Sequence, residues 1–236
     1  MNRPRVAAVV PAYNEERHIG DVVRRTRKTL ERVLVVDDGS ADATAARAAE
    51  AGAEVIGHET NQGKGETIKT GLRHWLGPAT PPGGRVEQPV DFVVILDADG
   101  QHLPEEIEAF VTAALSADRP QLVVGNRMND VSTMPLVRRL VNRWMSQQIS
   151  ALCGQKIPDT QCGYRLLGRQ LIPDLLGGAA RFDYETEMLI IASRKGFRIA
   201  SVPISTVYSD EVSSIHPVRD TIRFFKLMRR YKNQSA

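Results

Sequence analysis

The fold class follows most directly from one stretch of the sequence, Phe92-Val93-Val94-Ile95-Leu96-Asp97-Ala98-Asp99-Gly100. Its first five residues form a continuous apolar run, which is typical of a strand buried on both faces of a parallel sheet. Two carboxylates, Asp97 and Asp99, follow at once. In open α/β sheets ligands bind beyond the carboxyl ends of the strands, so this stretch predicts both the sheet and its binding edge.

Two carboxylates at this spacing suit a hard divalent cation. Mg²⁺ and Mn²⁺ prefer oxygen ligands, and Mg²⁺ is usually bound by one or two carboxylates together with substrate phosphates. The alternative interpretation is a turn, because Asp and Gly are common turn residues. The residues themselves leave both interpretations open and favour the metal.

Strands and helices alternate outward from this stretch. Apolar runs predict strands at residues 6–10, 33–36, 54–57, 92–96 and 121–125. Helices are expected from Glu15, capped by Asn14, to about Leu30, then from about Asp42 to Ala51, from the glycines near Lys64 to about Trp75, and from Pro104 onward. This order predicts an α/β fold with a doubly wound, mostly parallel sheet and helices on both faces.

The second half of the chain is less regular. We expect helices at about 135–152 and 184–195, a strand at 164–167, and an edge strand or bulge around Pro203. A basic helix is expected at about 218–231.

Length and composition limit the class of protein. The 236 residues, 42% of them hydrophobic and 25% charged, fit a single globular domain over residues 1–236. A net charge of +3 does not argue for nucleic acid. The two cysteines, Cys153 and Cys162, match neither a disulfide framework nor a zinc site, which fits a reducing cytoplasm. The sequence shows no run of ~20 apolar residues that would span a bilayer, and its first strand is too short for a signal peptide.

Polar residues also follow other predicted strands. Pro11, Tyr13 and Glu15 follow the first strand, and Asp37-Asp38-Gly39-Ser40 ends the second. These residues could hold a nucleobase or ribose, or they could only cap helices and form turns. Gly63-Lys64-Gly65 at a helix start is typical of an anion site, although its spacing is not that of a P-loop.

Several arginines are candidate phosphate ligands. Arg127 follows the fifth strand, where a guanidinium could pair with phosphate oxygens or simply face solvent. Arg138, Arg139 and Arg143 form a basic cluster, a feature that is more often solvated than a binding site. The segment 159–165 has no chemical meaning from spacing alone, and the carboxylates in 183–187 are explained by the dipole of a helix that starts there.

The motifs in this order resemble the family 2 glycosyltransferases with the GT-A fold. The similarity is strongest to the branch of dolichol-phosphate mannosyltransferases and polyprenyl-phosphate glucosyltransferases. Seven segments carry it, each weak alone: residues 9–16, 35–40, 61–65, 96–102, 125–127, 159–165 and 182–187.

This resemblance implies roles for particular residues. The nucleotide-sugar site would comprise Pro11, Tyr13, Glu15, Val36, Asp38, Lys64, Asp97 and Ala98. The metal, Mg²⁺ or Mn²⁺, would be held by Asp99 and Gln101, and the catalytic residues would be Asp97, Asp99 and Arg127. Phosphates of donor and acceptor would contact Arg127, Arg138, Arg139, His216 and Arg219.

The resemblance also divides the chain into two halves. Residues 1–127 would bind the nucleotide-sugar, and residues 128–236 would bind the acceptor and carry the amphipathic C-terminal helix. In the mannosyltransferases the loop over the donor carries an arginine and a lysine. The corresponding residues 208–215 have neither, so the sequence does not favour mannose over other sugars.

The implied activity is inverting, metal-dependent transfer of a sugar from a UDP- or GDP-sugar to a polyprenyl or dolichyl phosphate. A phosphate monoester is already ionised at neutral pH, so such an acceptor needs no general base. The alternatives are a hydroxyl acceptor in polysaccharide or cell-envelope synthesis, and a non-catalytic nucleotide-sugar-binding protein. A nucleotidyltransferase is disfavoured because an acidic segment, 11–15, follows the first strand.

The C-terminal helix suggests where the protein acts. Residues 220–231 mix aromatic and basic side chains, which predicts a peripheral contact at the inner face of the cytoplasmic membrane. Docking of Ile222, Phe225 and Met228 on the protein core is at least as well supported. The sequence sets no oligomeric state.

Overall fold

The computed structural model describes residues 3–77, 89–129, 136–177 and 183–205, with Arg229 and Tyr231. Its strands are β1 (Val6–Ala12), β2 (Arg32–Asp37), β3 (Glu54–Gly57), β4 (Phe92–Ile95), β5 (Leu122–Asn126), β6 (Arg165–Gly168) and β7 (Ile199–Pro203). Its α-helices are α1 (Ile19–Thr29), α2 (Thr44–Glu50), α3 (Lys64–Leu76), α4 (Ile107–Ala114), α5 (Leu136–Cys153), α6 (Ile172–Leu175) and α7 (Asp183–Arg194). Short 3₁₀ turns at Pro104–Glu106 and Arg127–Asn129 precede α4 and α5.

The seven strands form one sheet in the order β3-β2-β1-β4-β6-β5-β7. All neighbouring pairs are parallel except those of β6, which runs antiparallel to both β4 and β5. All four residues of β4 are buried, so both faces of the sheet are covered there. The predicted α/β fold with a mostly parallel, doubly wound sheet is confirmed.

The strand order reverses beside β1. The chain runs from β1 through β2 to β3 on one side, then crosses to β4 on the other side of β1. Ala12 at the end of β1 lies opposite Asp37 at the end of β2, and β4 ends at Ile95, opposite Val9, so the carboxyl ends of the three parallel strands share one edge of the sheet. Open α/β sheets bind their ligands at such a switch point, beyond the carboxyl ends of the strands.

Helix α3 packs closely on β1 because it carries a glycine at the contact. A Cβ atom on Gly71 would lie only 2.5 Å from a methyl carbon of Val9. The close approach fixes the position of α3 on the sheet, and with it the position of Lys64 at the first turn of the helix.

The predicted start of the first helix is wrong. Helix α1 begins at Ile19, and Asn14 does not cap it. Asn14 has a positive φ of 55°, donates its backbone N–H to Ser40 Oγ, and accepts a hydrogen bond from the backbone of Ala41. Residues after β1 therefore brace the loop after β2 instead of starting a helix.

The last part of the chain is described only at two residues. Tyr231 is buried, and its hydroxyl donates to Glu187 Oε1 on α7 at 3.0 Å. Arg194 lies over the Tyr231 ring, 4.9 Å from its centre, and donates to its carbonyl oxygen. At this residue the chain docks on the protein, whereas Ile222, Phe225 and Met228 lie outside the described residues.

Candidate active site

A cavity of about 420 Å³ opens at the carboxyl ends of β1, β2 and β4. It is lined by residues from the four segments that follow these strands and start α3: Pro11, Ala12, Tyr13, Glu15, Asp38, Asn61, Gly63, Lys64, Thr67, Asp97, Ala98 and Asp99. The lining brings together most of the residues predicted to bind the nucleotide-sugar. Val36 is the exception, because it is fully buried inside β2 and does not line the cavity.

Asp99 has few protein partners in the cavity. Its only hydrogen bond within the described ranges comes from the backbone of Gln101, which donates to Oδ1 at 2.9 Å. Burial, and then the negative charge of Asp97, raise the pKa of Asp99. A partly buried carboxylate without an ion pair among the described residues is a suitable ligand for a hard divalent cation.

The metal-site prediction fits this environment with one change in the role of Gln101. Gln101 supports Asp99 through its backbone and does not line the cavity. Across the described ranges, no three His, Cys, Asp or Glu side chains are grouped closely enough to hold an ion by themselves. This agrees with a cation whose remaining ligands are substrate phosphates and water.

Asp97 has the opposite electrostatic environment. Its Oδ1 lies 2.6 Å from Lys64 Nζ. Burial would raise the pKa of Asp97, but the charge of Lys64 and the smaller contributions of its other neighbours together outweigh burial and lower this pKa to about 2. Asp97 is therefore ionised, and it has an ion-pair partner within the protein.

Lys64 lines the cavity as predicted, but its charge is already balanced. Besides Asp97, Lys64 Nζ contacts Glu185 Oε1 on α7 at 2.9 Å. An anion site would need an ammonium group that faces the ligand without a protein carboxylate between them. In Gly63-Lys64-Gly65 the lysine is therefore paired with two carboxylates, and the anion-site interpretation of this segment stays a prediction.

His102 holds the turn that carries both aspartates. Its Nδ1 accepts a hydrogen bond from the backbone N–H of Asp97 at 3.1 Å, so the proton of the neutral ring is on Nε2. The ring stacks on Tyr164 with 4.9 Å between centres, and burial lowers the pKa of His102. The imidazole therefore acts as a neutral acceptor that fixes the backbone at Asp97.

Asp38, at the β2 side of the cavity, is saturated with hydrogen bonds. Oδ1 accepts from the backbone of Gln62 at 2.9 Å and contacts His58 Nδ1 at 2.8 Å, and Oδ2 accepts from the backbone of Gly63 at 2.8 Å. Through these bonds Asp38 sets the path of the chain into α3. It therefore shapes the cavity wall that it also lines.

Comparison with known proteins identifies the family. The model of "Glycosyl transferase family 2" matches residues 7–176, which include the whole cavity and most of the sheet. The chain belongs to this family. It is a family 2 glycosyltransferase.

Curated relatives align with this glycosyltransferase over most of their length. The "UDP-N-acetylglucosamine--dolichyl-phosphate N-acetylglucosaminyltransferase" of Methanococcus voltae is 31% identical over 86% of this chain and 85% of the relative. The "Undecaprenyl-phosphate mannosyltransferase" of Micrococcus luteus is 30% identical over 86% of this chain and 84% of the relative. The family resemblance and the polyprenyl-phosphate branch inferred from the motifs are confirmed.

Solved structures confirm the fold of the glycosyltransferase. Glucosyl-3-phosphoglycerate synthase of Mycobacterium tuberculosis, crystallised with UDP, superposes with a TM-score of 0.70 at 24% identity, over 89% of this chain and 74% of that one. The same enzyme with Mn²⁺, UDP and glucosyl-3-phosphoglycerate gives a TM-score of 0.68 at 21% identity, over 97% of this chain and 78% of that one. Likeness at this identity establishes the GT-A architecture and nothing finer.

Arg127 of the glycosyltransferase is engaged by a protein carboxylate. Its Nε lies 2.8 Å and its Nη2 3.1 Å from the two oxygens of Asp159, which is buried. A bidentate pair of this kind holds the guanidinium plane rigidly. Arg127 therefore has a fixed orientation, and a phosphate would meet it together with Asp159.

The segment 159–165, which had no meaning from spacing alone, now has one. Asp159 binds Arg127, and Arg165 is completely buried, where it donates to the carbonyl oxygens of Thr160, Cys162 and Glu185. Sequence reasoning missed Asp159 and Glu185 because their partners, Arg127 and Lys64, are remote in sequence, and it also missed the buried Arg165. The only available signal was their presence in segments shared with the family.

The remaining predicted phosphate ligands do not line the cavity or lie outside the description. Arg139 is exposed on α5 and is not part of the cavity lining. The side chain of Arg138 and the residues His216 and Arg219 lie outside the described residues, as does the loop 208–216. Within the described ranges, no helix is long and apolar enough to cross a membrane.

Proposed function

We propose that this glycosyltransferase transfers a sugar, with inversion, from a UDP- or GDP-sugar to a polyprenyl phosphate, with the help of Mg²⁺ or Mn²⁺. One observation carries the proposal: relatives that align over 84–85% of their own length are named for transfer to dolichyl or undecaprenyl phosphate. The cavity at the sheet edge supports it with Asp99, a partly buried carboxylate that has no ion pair among the described residues.

The donor would lie along the cavity from Asp38 to Asp99. Tyr13, which is 48% exposed at the rim, can cover a nucleobase, and Asp38 forms the wall beside it. Asp97, ionised and fixed by Lys64, can accept hydrogen bonds from hydroxyl groups of the ribose or sugar. Asp99 would hold the cation, which would neutralise the charge that develops on the leaving diphosphate.

The acceptor would supply its own nucleophile. Its phosphate is ionised at neutral pH, so an oxygen of this phosphate can attack the anomeric carbon opposite the leaving group. The bond from that carbon to the diphosphate breaks, and the nucleoside diphosphate leaves. The protein then has only to position an anion. Arg127, held in one orientation by Asp159, is the described cation that we assign to this task.

The test is a transfer assay with purified protein, MnCl₂, a panel of UDP- and GDP-sugars, and short polyprenyl phosphates. We expect release of nucleoside diphosphate that depends on both metal and lipid phosphate, and a glycosyl-phosphate product of inverted configuration. The matched acceptor is the polyprenol without phosphate. Release with the alcohol but not with its phosphate would contradict the proposal and favour a hydroxyl acceptor.

We also propose a peripheral contact with an anionic bilayer. Helix α5 exposes Leu140 and Val141 to solvent, with Arg139 and Arg143 also exposed on the same helix. Apolar and basic side chains together are typical of helices that lie in a membrane interface. Flotation with phosphatidylglycerol vesicles should fall when Leu140 and Val141 are both changed to Ser. Unchanged flotation of that variant would remove α5 from the contact.

A further inference from the structure

Three charged side chains from separate parts of the chain meet beside the cavity. Lys64 Nζ, at the start of α3, lies 2.6 Å from Asp97 Oδ1 and 2.9 Å from Glu185 Oε1. A quarter or less of each side chain is exposed. We call Lys64, Asp97 and Glu185 the bridging cluster, because it joins the segment after β4 to α3 and α7.

The main chain at Gly163 confines the bridging cluster. A Cβ atom at this glycine would lie 2.8 Å from Glu185 Oε1, 3.0 Å from Asp97 Oδ2 and 3.1 Å from Lys64 Nζ. Contacts this short cannot be formed without moving the charged atoms. Only glycine leaves room for all three groups in their present positions.

Arg165 ties the cluster to the loop before β6. Its buried guanidinium donates to the carbonyl oxygen of Thr160 at 3.0 Å, to that of Cys162 at 2.9 Å, and to the backbone of Glu185 itself. Thr160 and Cys162 precede Gly163, so one side chain fixes both the glycine and the start of α7. An ordinary surface ion pair has no such support and contributes little.

We propose that Glu185 is a positioning residue for Asp97 and that it acts through Lys64. The inference rests on the proposed function, in which Asp97 contacts the donor. Lys64 is held between two carboxylates, so Glu185 determines where the ammonium group sits and therefore how the Asp97 carboxylate is turned. Asp99 has no ion pair within the described ranges and is left to the cation.

This arrangement links the two halves of the chain. Asp97 belongs to the half expected to bind the donor, whereas Glu185 lies on α7 in the half expected to bind the acceptor. The residue that orients a donor-binding carboxylate thus comes from the acceptor side. A change in the position of α7 should therefore alter donor binding, without direct contact between α7 and the donor.

Kinetics of four variants test the proposal. We expect Glu185→Gln and Lys64→Met each to lower kcat/KM for the nucleotide-sugar by about 10–100-fold, the range seen when a supporting partner of a site residue is lost. Lys64→Arg should restore part of that loss, because it keeps the charge. Glu66→Gln is the matched control, since Glu66 also pairs with a lysine on α3 but does not line the cavity. Equal losses in Glu66→Gln and Glu185→Gln would overturn the proposal.

Direct binding measurements add a second test, because a purely structural role of Lys64 and Glu185 would not change the affinities for metal and nucleotide in different ways. Removing the positive charge in Lys64→Met should tighten Mn²⁺ binding, measured by the electron paramagnetic resonance signal of free Mn²⁺, and weaken UDP and GDP binding. Glu185→Gln should weaken Mn²⁺ binding, because it removes a nearby negative charge, and should also weaken UDP and GDP binding, because Asp97 is turned away from the donor. A loss of both affinities in both variants, together with a lowered melting temperature, would indicate only a folding role and overturn the proposal.

Crystal structures of ligand-free Glu185→Gln and wild-type protein separate this inference from the proposed function. A shift of the Asp97 carboxylate by about 0.5 Å or more, the tolerance of a productive site, supports positioning even if wild-type protein transfers no sugar. An Asp97 carboxylate that stays in place overturns it even if transfer is confirmed. Gly163→Ala should displace the cluster likewise, with Gly177→Ala as control, because no atom lies within 4 Å of a Cβ there.

Discussion

The carboxylates on the two sides of the cavity, Asp38 and Asp99, have different hydrogen-bond and charge environments. On the β2 side, Asp38 is surrounded by donors from the protein itself: two backbone N–H groups and His58. On the β4 side, Asp99 accepts one backbone hydrogen bond and lies beside a second carboxylate, Asp97. The β2 side is complete without a ligand, whereas on the β4 side Lys64 pairs with Asp97 and leaves Asp99 without an ion pair among the described residues. This difference fits the proposal that a cation completes the β4 side.

The largest expected effect comes from breaking the β4 side. Asp99→Asn keeps the size of the side chain but removes the charge that would hold the cation. A metal ion contributes several kcal/mol to charge stabilisation in a transition state, so turnover should fall by about 10²–10³-fold or more. Sugar transfer at saturating MnCl₂ measures it. Turnover within a few-fold of wild type would remove Asp99 from the metal site.

Breaking the β2 side should affect folding before chemistry. Asp38→Ala leaves the N–H groups of Gln62 and Gly63 without their acceptor, and each such loss costs about 1–3 kcal/mol. Chemical denaturation should show a loss of about 2–6 kcal/mol in the free energy of unfolding, while the metal affinity of the protein that remains folded changes little. Unchanged stability would show that Asp38 has no structural role and that the two sides are alike.

The same contrast explains which parts of the site could be predicted from the sequence. Asp97, Asp99 and the strand before them could be predicted, because an apolar run and the carboxylates that end it are adjacent in sequence. The partner of Lys64 could not be predicted from the sequence. Glu185 is brought to Lys64 by the fold, in which β6 lies antiparallel between β4 and β5. Lys64 at a glycine-rich helix start is typical of an anion site in the sequence. Only the structure shows that Asp97 and Glu185 pair with it.

The true start of the first helix and the protein partner of Arg127 could not be predicted, for a related reason. Asn14 fits a helix cap by residue type, but it is used to brace the loop after β2. Arg127 fits a phosphate ligand by its place at a strand end, but Asp159, thirty-two residues later, holds it. In each case the actual partner comes from a distant segment, which residue type and local position do not reveal.

Acid unfolding should sharpen the contrast within the β4 side. The folded-state pKa of Asp97 is about 2, below its ordinary value of 3.8, so its ionised form stabilises the fold. That contribution is present above pH 3.8 and is lost as the pH falls through 3.8 towards 2. Asp97→Asn should therefore be less stable than wild type at neutral pH, and the gap should close in acid. Urea denaturation between pH 7 and pH 3 measures it, and a gap independent of pH would contradict the assigned ion pair.

The smallest expected effect is on the stability of the Asp99 variant, and it is opposite in sign to that expected for Asp97→Asn. Its folded-state pKa is raised, first by burial and then by Asp97, so ionisation of Asp99 destabilises the metal-free fold as the pH rises through this pKa. Metal-free Asp99→Asn should therefore be slightly more stable than wild type at neutral pH, with no difference in acid below the ordinary carboxyl pKa.

Binding of metal and nucleotide should make wild type more stable than Asp99→Asn, the reverse of the order without ligands. MnCl₂ with UDP or GDP at 100 times the dissociation constant stabilises a protein that binds them by about 2.7 kcal/mol, and only wild type should respond fully. Melting temperatures of both proteins, with and without these ligands, provide the test. If wild type without metal is the more stable protein at pH 7, then Asp99 already has its counterion within the chain, and the β4 side is as complete as the β2 side.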